Sequence, residues 1–222
     1  MNRNKLLVVL LVVLGLSSVQ AQNKLDYTEF NLSVGTLNYS GDIATENNVS
    51  NFITDMGPNV RVSAKRHFND WFGMGAEMGY GYFTADDNTH GNPNRGLSVT
   101  TSVFQASVFA EVHFIRFGKY HIEDKFSPYL KFGGGFNAWN PDLSTSRVYP
   151  EKYDIQSDAY SSASFLGGLG AKFRASKKSV ITLEWVKSFP GADNLDGFIN
   201  PDAANDNDTY SSFYLGYSFL IL

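Results

Sequence analysis

A strict two-residue alternation of side-chain types runs through most of this chain. Between Phe72 and Tyr82 every second residue is apolar, and the intervening residues are glycines and Glu77. The segment Phe104–Phe114 alternates too, with an apolar face and a mainly polar one. Successive side chains of a β-strand point to opposite faces, whereas an amphipathic helix repeats every 3.6 residues. The alternation therefore predicts strands, and beyond Gln22 no helical period of useful length competes with it.

Eight segments carry this pattern, and we expect each to be one strand. They are Thr28–Ser40, Asn59–His67, Phe72–Thr84, Leu97–Ile115, Ser127–Trp139, Ser162–Arg174, Val180–Phe189 and Tyr210–Leu222. The connections between them alternate in length. The long, polar ones are Gly41–Pro58, Ala85–Gly96, Asn140–Ser161 and Pro190–Thr209; the shorter ones are Phe68–Trp71, Arg116–Phe126 and Ala175–Ser179. An even strand number with alternating long loops and short turns is typical of outer-membrane barrels.

The strands of a soluble up-and-down barrel or an immunoglobulin-type sandwich would also alternate. The composition of the less apolar face distinguishes these folds from an outer-membrane barrel. That face is rich in glycine, which weakens a strand and has no use on a solvated sheet. Glycine is useful where space is short, as inside an eight-stranded barrel that side chains just fill. We therefore predict an all-β fold: an eight-stranded antiparallel up-and-down transmembrane β-barrel of the OmpA/OmpX architecture, with a filled polar lumen and an apolar face toward lipid.

The predicted inward faces carry four acidic and four basic residues. They are Glu29, Glu77, Glu111, Glu184, Arg61, Lys65, Lys131 and Lys172. An isolated charge in a narrow lumen costs several kcal/mol, so these residues must be paired. Antiparallel order places Glu29 beside Lys65, and it places Lys131 and Lys172 on strands next to those of Glu111 and Glu184. We predict a salt-bridged plug rather than an open pore, and a structural rather than catalytic role for the glutamates.

The first 21 residues have the organisation of a secretory signal. Arg3 and Lys5 precede the apolar run Leu6–Leu16, and small residues lead to a cleavage position after Ala21. About 11 apolar residues are too few for a membrane-spanning helix, which needs roughly 20. We therefore expect residues 1–21 to be a signal peptide and residues 22–222 to form one outer-membrane barrel.

Aromatic residues near the strand ends fit the two interfaces of a membrane, where tyrosine and tryptophan are enriched. Trp71 and Phe72 lie at a short turn, and Tyr80, Tyr82 and Trp139 lie near the long-loop ends of their strands.

Composition and motif spacing exclude several other functions. The chain has no cysteine, which excludes thiolate metal sites, and 18 basic against 22 acidic residues, which argues against nucleic-acid binding. His90 lies near Asp86 and Asp87, but no spacing supports a barrel enzyme. His113, next to Glu111 on an inward face, is expected to be a hydrogen-bonding residue of the lumen. We predict no catalytic residue, no cofactor-binding residue and no metal site.

The loop Pro190–Thr209 is acidic enough for a calcium site to be considered. Its aspartates are Asp193, Asp196, Asp202, Asp206 and Asp208. Their spacing does not fit the twelve-residue EF-hand loop, so a solvated acidic loop is the preferred interpretation.

Several segments resemble the PorG-type family of small outer-membrane barrels, found in bacteria with a type IX secretion system. These segments are Leu37–Asp42, Leu97–Ser98, Ala110–Phe117, Phe126–Leu130, Gly133–Phe136 and Asn140–Pro141. The resemblance implies a non-enzymatic barrel in the bacterial outer membrane, surrounded by its lipid. Its partner would be a lipoprotein of the periplasmic ring, which the barrel anchors to the outer membrane. No residue role is carried over from the family, and relatives without an assigned role also belong to it.

Within that expectation, the turn Arg116–Phe126 is the best-equipped periplasmic docking surface, although a plain charged turn would look the same. Its charged residues and histidine are Arg116, Lys119, His121, Glu123, Asp124 and Lys125. The alternative function is a small porin-like barrel or a surface adhesin that acts through its extracellular loops.

Overall fold

Eight strands close into one antiparallel barrel in the computed structural model of this chain. The structure describes residues 26–40, 55–87, 96–118, 121–145, 154–155, 158–192, 194–199 and 208–221. The barrel strands are β1 (Tyr27–Ser40), β2 (Gly57–His67), β3 (Phe72–Asp86), β4 (Leu97–His113), β5 (Phe126–Thr145), β7 (Tyr160–Arg174), β8 (Ser179–Pro190) and β10 (Thr209–Ile221). Their order around the barrel is β1-β10-β8-β7-β5-β4-β3-β2, so every barrel strand pairs with its neighbours in sequence, and β10 closes on β1. Among the described residues, no helix is long and apolar enough to cross a membrane.

The fold class and all eight predicted strands are confirmed, and apart from shifts of one or two residues at the strand ends there are two differences. Strand β5 continues to Thr145 instead of ending at Trp139, because it stays paired with β4 as far as Leu97. Two further strands of two residues each, β6 (Asp154–Ile155) and β9 (Phe198–Ile199), pair with each other and join two long loops. Strands this short show no periodicity in a sequence. The expected signal peptide lies outside the described residues.

Side-chain exposure confirms which face of the sheet is inside. Met78 and Leu169 on the apolar face are each 53% exposed, whereas Glu77 on the opposite face is 3% exposed. The inward glycines lie where the lumen has no room for a larger side chain, as their sequence pattern predicted. A Cβ at Gly135 would overlap the backbone of β4, and one at Gly170 would overlap the phenol ring of Tyr129. The barrel is therefore narrow and its interior is packed.

The prediction for the interfacial aromatic residues is wrong at Trp139. Tyr80 and Tyr82 point outward, and Trp71 at a short turn is 44% exposed, as expected. Trp139 is 2% exposed and packs inside the long-loop end of the barrel. The alternation itself explains the difference, since Trp139 has the same parity along β5 as the inward residue Asn137.

Candidate functional site

The eight predicted lumen charges form two groups of four, stacked along the barrel. The group nearer the long-loop end, here called the upper quartet, consists of Arg61, Glu77, Lys131 and Glu184. Arg61 Nη1 lies 2.5 Å from Glu184 Oε1 and 3.4 Å from Glu77 Oε2. Lys131 Nζ lies 2.6 Å from Glu77 Oε2 and 3.1 Å from Glu184 Oε1. Each cation therefore contacts both anions, and the quartet is neutral.

The second group, the lower quartet, lies toward the short-turn end and repeats this arrangement. It consists of Glu29, Lys65, Glu111 and Lys172. Lys65 Nζ lies 3.3 Å from Glu29 Oε1 and 2.6 Å from Glu111 Oε1. Lys172 Nζ lies 2.9 Å from Glu29 Oε2 and 2.8 Å from Glu111 Oε2. The salt-bridged plug is confirmed, and the predicted neighbours Glu29 and Lys65 are register partners between β1 and β2.

Two aromatic rings join the quartets. The Tyr129 hydroxyl donates a 2.5 Å hydrogen bond to Glu184 in the upper quartet. Its ring lies 5.3 Å from Lys172 Nζ in the lower quartet. The Phe109 ring lies 4.2 Å from Lys131 Nζ and 5.9 Å from Lys65 Nζ. Burial strengthens such cation–π contacts, so the rings bridge the two quartets without adding charge.

Below the lower quartet lie two buried histidines, His67 and His113. His67 Nε2 lies 2.9 Å from Glu29 Oε2, and His113 Nδ1 lies 2.9 Å from Ser127 Oγ. The prediction of a hydrogen-bonding role for His113 in the lumen is confirmed. His67 was not singled out from the sequence, although its parity with the inward residue Lys65 on β2 could have placed it there.

The turn between β4 and β5 closes the short-turn end. Phe117 is fully buried beneath His113, with their rings stacked at 5.9 Å. The Phe117 carbonyl accepts a hydrogen bond from the Tyr27 hydroxyl, and the Gly118 carbonyl accepts one from Arg174. The imidazole of His121 contacts the Asp70 carboxylate at 3.0 Å. The turn is thereby fixed to three other parts of the barrel: β1, the end of β7 and the β2–β3 turn.

A loop residue closes the long-loop end in a similar way. Leu195 is fully buried in an apolar cluster with Trp139, Phe83 and Tyr210 among others. Its carbonyl accepts a hydrogen bond from Thr101, and the Trp139 indole donates to the neighbouring Asn194 carbonyl. This apolar end was not predicted, because residues in a connection show no strand periodicity.

Two aspartates of the acidic loop are buried, so the interpretation of a solvated acidic loop is wrong for them. Asp196 and Asp208 are buried, and the Tyr39 hydroxyl lies 2.8 Å from Asp196 Oδ2 and 2.7 Å from Asp208 Oδ1, so the two carboxylates share its single proton. The Leu195 amide also donates to Asp208. These aspartates fix the loop over the barrel. Asp193, Asp202 and Asp206 lie outside the described residues.

The histidine considered for a barrel enzyme, His90, also lies outside the described residues. Its neighbour Asp87 is buried and accepts a hydrogen bond from the Leu97 amide, which is a structural role at the start of β4. A different group could hold a metal ion: His67, Glu111 and His113 offer ligand atoms within 4.8 Å of one another. No metal site was expected from the sequence.

Comparisons with known proteins agree with this architecture. Residues 8–219 match the family model described as outer membrane protein beta-barrel domain. The chain is similar to neisserial surface protein A, with 12% identity and a TM-score of 0.55, over 86% of this chain and 96% of that chain. It is also similar to Ail, the attachment invasion locus protein of Yersinia pestis, in a complex with the heparin analogue sucrose octasulfate. That match has 11% identity and a TM-score of 0.50, over 88% of this chain and 99% of that chain.

At such identities the two solved structures support the fold alone. No curated protein sequence matches the chain. The family match, which covers nearly the whole chain, also gives its location, the bacterial outer membrane. The chain belongs to the outer-membrane protein β-barrel family.

Proposed function

We propose that this barrel is a non-enzymatic anchor or accessory component of the type IX secretion machinery, and that it docks the periplasmic ring to the outer membrane. The observation that carries the anchoring role is the filled lumen. Two neutral quartets fill it, Phe117 covers one end and Leu195 the other. A barrel filled in this way acts through its surfaces rather than by conduction. The assignment to type IX secretion rests on the sequence resemblance.

The docking surface that we propose is the turn between β4 and β5. Short turns of outer-membrane barrels face the periplasm. Arg116, Ile122, Glu123 and Lys125 are exposed on this turn, while Phe117 is buried beneath it. Because the backbone of this turn is already fixed, binding does not have to order the loop, and this preorganisation favours recognition. The partner that we propose is a lipoprotein of the periplasmic ring.

Site-specific photocrosslinking in the outer membrane tests this docking. A photoreactive residue at Glu123 or Lys125 should capture one periplasmic lipoprotein. The matched control is Lys177, which is exposed on another short turn, between β7 and β8, and should capture none. Equal capture from both turns, or capture from neither, would contradict the docking surface.

Deletion of the gene tests the proposed role in secretion. Cargo of the secretion system should accumulate in the periplasm, and the wild-type barrel should restore export. Exchange of Glu123 and Lys125 for serine should leave the barrel folded but restore export poorly, while the same exchange at Lys177 and Lys178 should restore it fully. Normal secretion in the deletion strain would contradict the proposed function.

A surface-binding role is a second candidate, supported by one observation. Strands β6 and β9 join two long loops into a two-stranded sheet, which gives the long-loop end a defined structure. If this end binds a ligand or host surface, shortening the loop at residues 146–153 should abolish binding and leave export unchanged.

We also propose that residues 1–21 are removed on export. Sequencing the amino terminus of the protein from outer membranes should then begin at Gln22.

A further inference from the structure

We infer that His67, Glu111 and His113 bind a divalent transition-metal ion of the zinc class at the short-turn end of the lumen. This site is separate from the proposed docking surface and does not depend on it. Its three side chains are all buried: His67 is 0%, Glu111 1% and His113 2% exposed. Their potential ligand atoms lie within 4.8 Å of one another.

A glycine leaves room for the imidazole of His67 beside the strand that carries Glu111 and His113. Gly73 on β3 is the register partner of His67 on β2 and of Glu111 on β4. An added Cβ at Gly73 would lie 3.1 Å from His67 Nδ1. Because Gly73 has no side chain, the imidazole of His67 can lie over it, toward the neighbouring strand that carries Glu111. His113 is two residues after Glu111 on the same face of β4, and its ring centroid lies 5.6 Å from that of His67.

The hydrogen bonds fix which nitrogen of His113 is available. The Ser127 hydroxyl donates its only proton to a backbone carbonyl, that of Ile115, at 2.7 Å. His113 Nδ1 must therefore donate to Ser127 Oγ, which leaves the lone pair of Nε2 free in the neutral ring. His113 Nε2 is buried, has no hydrogen-bond partner within the described structure, and lies 3.7 Å from Glu111 Oε2.

The same reasoning applies to His67. Its Nε2 donates to the Glu29 carboxylate, so Nδ1 carries the free lone pair. Nδ1 is also buried without a hydrogen-bond partner among the residues that the structure describes. Metal-binding histidines usually donate their second N–H to a carboxylate, carbonyl or similar group, which orients the ring. Glu29 and Ser127 supply these outer contacts, so both imidazoles are already oriented as ligands.

Two imidazole nitrogens and one carboxylate oxygen define the class of ion. Such ligands suit zinc and its neighbours among the transition metals, whereas calcium and magnesium require mainly oxygen ligands. Zinc–nitrogen bonds of about 2.0–2.1 Å place tetrahedral ligands roughly 3.4 Å apart, so the three side chains would close by up to about 1.5 Å. A water molecule would complete the coordination.

The Lys172 ammonium competes with a metal ion for the Glu111 carboxylate, so removal of its charge provides a specific test of the site. Its ammonium lies 2.8 Å from Glu111 Oε2 and 2.9 Å from Glu29 Oε2, while Lys65 holds Glu111 Oε1 at 2.6 Å. A metal ion at Glu111 Oε2 must displace Lys172 toward Glu29. We therefore expect modest affinity in the wild-type barrel and higher affinity when the Lys172 charge is removed, because the ion then supplies the missing positive charge.

Zinc titration of the full-length barrel, folded in detergent, tests the site. We expect one zinc ion per wild-type barrel, about tenfold or more weaker binding in His67→Gln and in His113→Gln, and about tenfold or more tighter binding in Lys172→Gln. The matched control is His121→Gln, because His121 lies at the same end beside Asp70 and Asp124 but outside the lumen. It should bind zinc as the wild type does. Circular dichroism establishes that each variant is folded.

Anomalous diffraction from zinc-soaked wild-type crystals provides a measurement that needs no variant. A zinc peak between His67, Glu111 and His113 would support the site. A peak only at His121, stoichiometric binding that survives in the double variant His67→Gln/His113→Gln, or no binding in either the wild type or Lys172→Gln would overturn it.

Discussion

Arg61 and Glu184 form a 2.5 Å ion pair across the barrel, although their strands are not neighbours. Arg61 lies on β2 and Glu184 on β8, with β1 and β10 between them. Both side chains are buried, with 4% and 2% exposure. The pair therefore joins different parts of the barrel wall through the lumen, in addition to the hydrogen bonds that join adjacent strands.

Removal of one partner should destabilise the barrel far more than removal of a surface charge. Arg61→Met leaves Glu77 and Glu184 with one cation, Lys131, between them. Breaking a buried pair from one side costs about 3–5 kcal/mol, because a buried charge is left uncompensated. We expect the free energy of unfolding in urea to fall by about that amount. The double variant Arg61→Met/Glu184→Gln should lose less than the sum of its single variants, since it restores neutrality.

The control for this prediction is Lys178→Met, an exposed position on a short turn, where a change within about 0.5 kcal/mol is expected. Strictly additive losses at Arg61 and Glu184 would show that the upper quartet is not energetically coupled.

The lumen charges also show how far the sequence determines this interior. Alternation along the strands was enough to place all eight charges inside, and strand order was enough to pair Glu29 with Lys65. Strand order was not enough to predict the partners of Lys131. Its register partner is Glu111, but its ammonium contacts Glu77 and Glu184. Which side chains meet across a barrel depends on strand tilt and stagger, which a single sequence does not specify.

The residues that close the two ends of the barrel could not be predicted from the sequence, for a different reason. Phe117 and Leu195 belong to connections, where no periodicity separates an inward residue from an outward one. The side chains of the proposed metal site could not be predicted to meet for a similar reason. His67 and Glu111 are far apart in sequence and meet only because Gly73 lies between them in the register.

The quartets, rather than the end closures, should block ion conduction. We expect wild-type barrels in planar lipid bilayers to show no steady conductance. Opening both ends with Phe117→Ala and Leu195→Ala should still give none, because the quartets continue to fill the lumen. Shortening one ion pair of each quartet in that background, with Arg61→Ala/Glu184→Ala and Lys65→Ala/Glu111→Ala, keeps both quartets neutral and should produce small channels. Conductance steps in the wild type would contradict a filled lumen and would favour the porin-like alternative.

Two glycines on β7 provide a matched test of interior packing. A Cβ at the inward Gly170 would overlap the Tyr129 ring, whereas one at the outward Gly167 would meet nothing within 4 Å. Overpacking a filled interior costs about 1–3 kcal/mol. We expect Gly170→Ala to lower the free energy of unfolding by at least that amount, and Gly167→Ala to leave it unchanged or raise it slightly. Equal effects in urea unfolding would contradict the assignment of the two faces.

Phe117 should hold the proposed docking turn in place. Its side chain is fully buried against His113 and the Arg174 guanidinium, and its amide donates a 3.0 Å hydrogen bond to the Asp70 carbonyl. Truncation of a buried phenylalanine costs about 3–5 kcal/mol. In Phe117→Ala this cost should appear mainly as local opening, because the turn can detach while the barrel strands stay paired.

Hydrogen–deuterium exchange measures this opening directly. In Phe117→Ala the amides at positions 117, 121 and 124 should exchange at least about tenfold faster, while those of β4 keep their protection. The control is Ile122→Ala, because Ile122 is on the same turn but 41% exposed, so its truncation should leave exchange unchanged. Faster exchange throughout β4 would mean that Phe117 stabilises the whole barrel rather than the turn. Unchanged exchange at position 117 would mean that the hydrogen bonds from Tyr27 and Arg174 hold the turn without it.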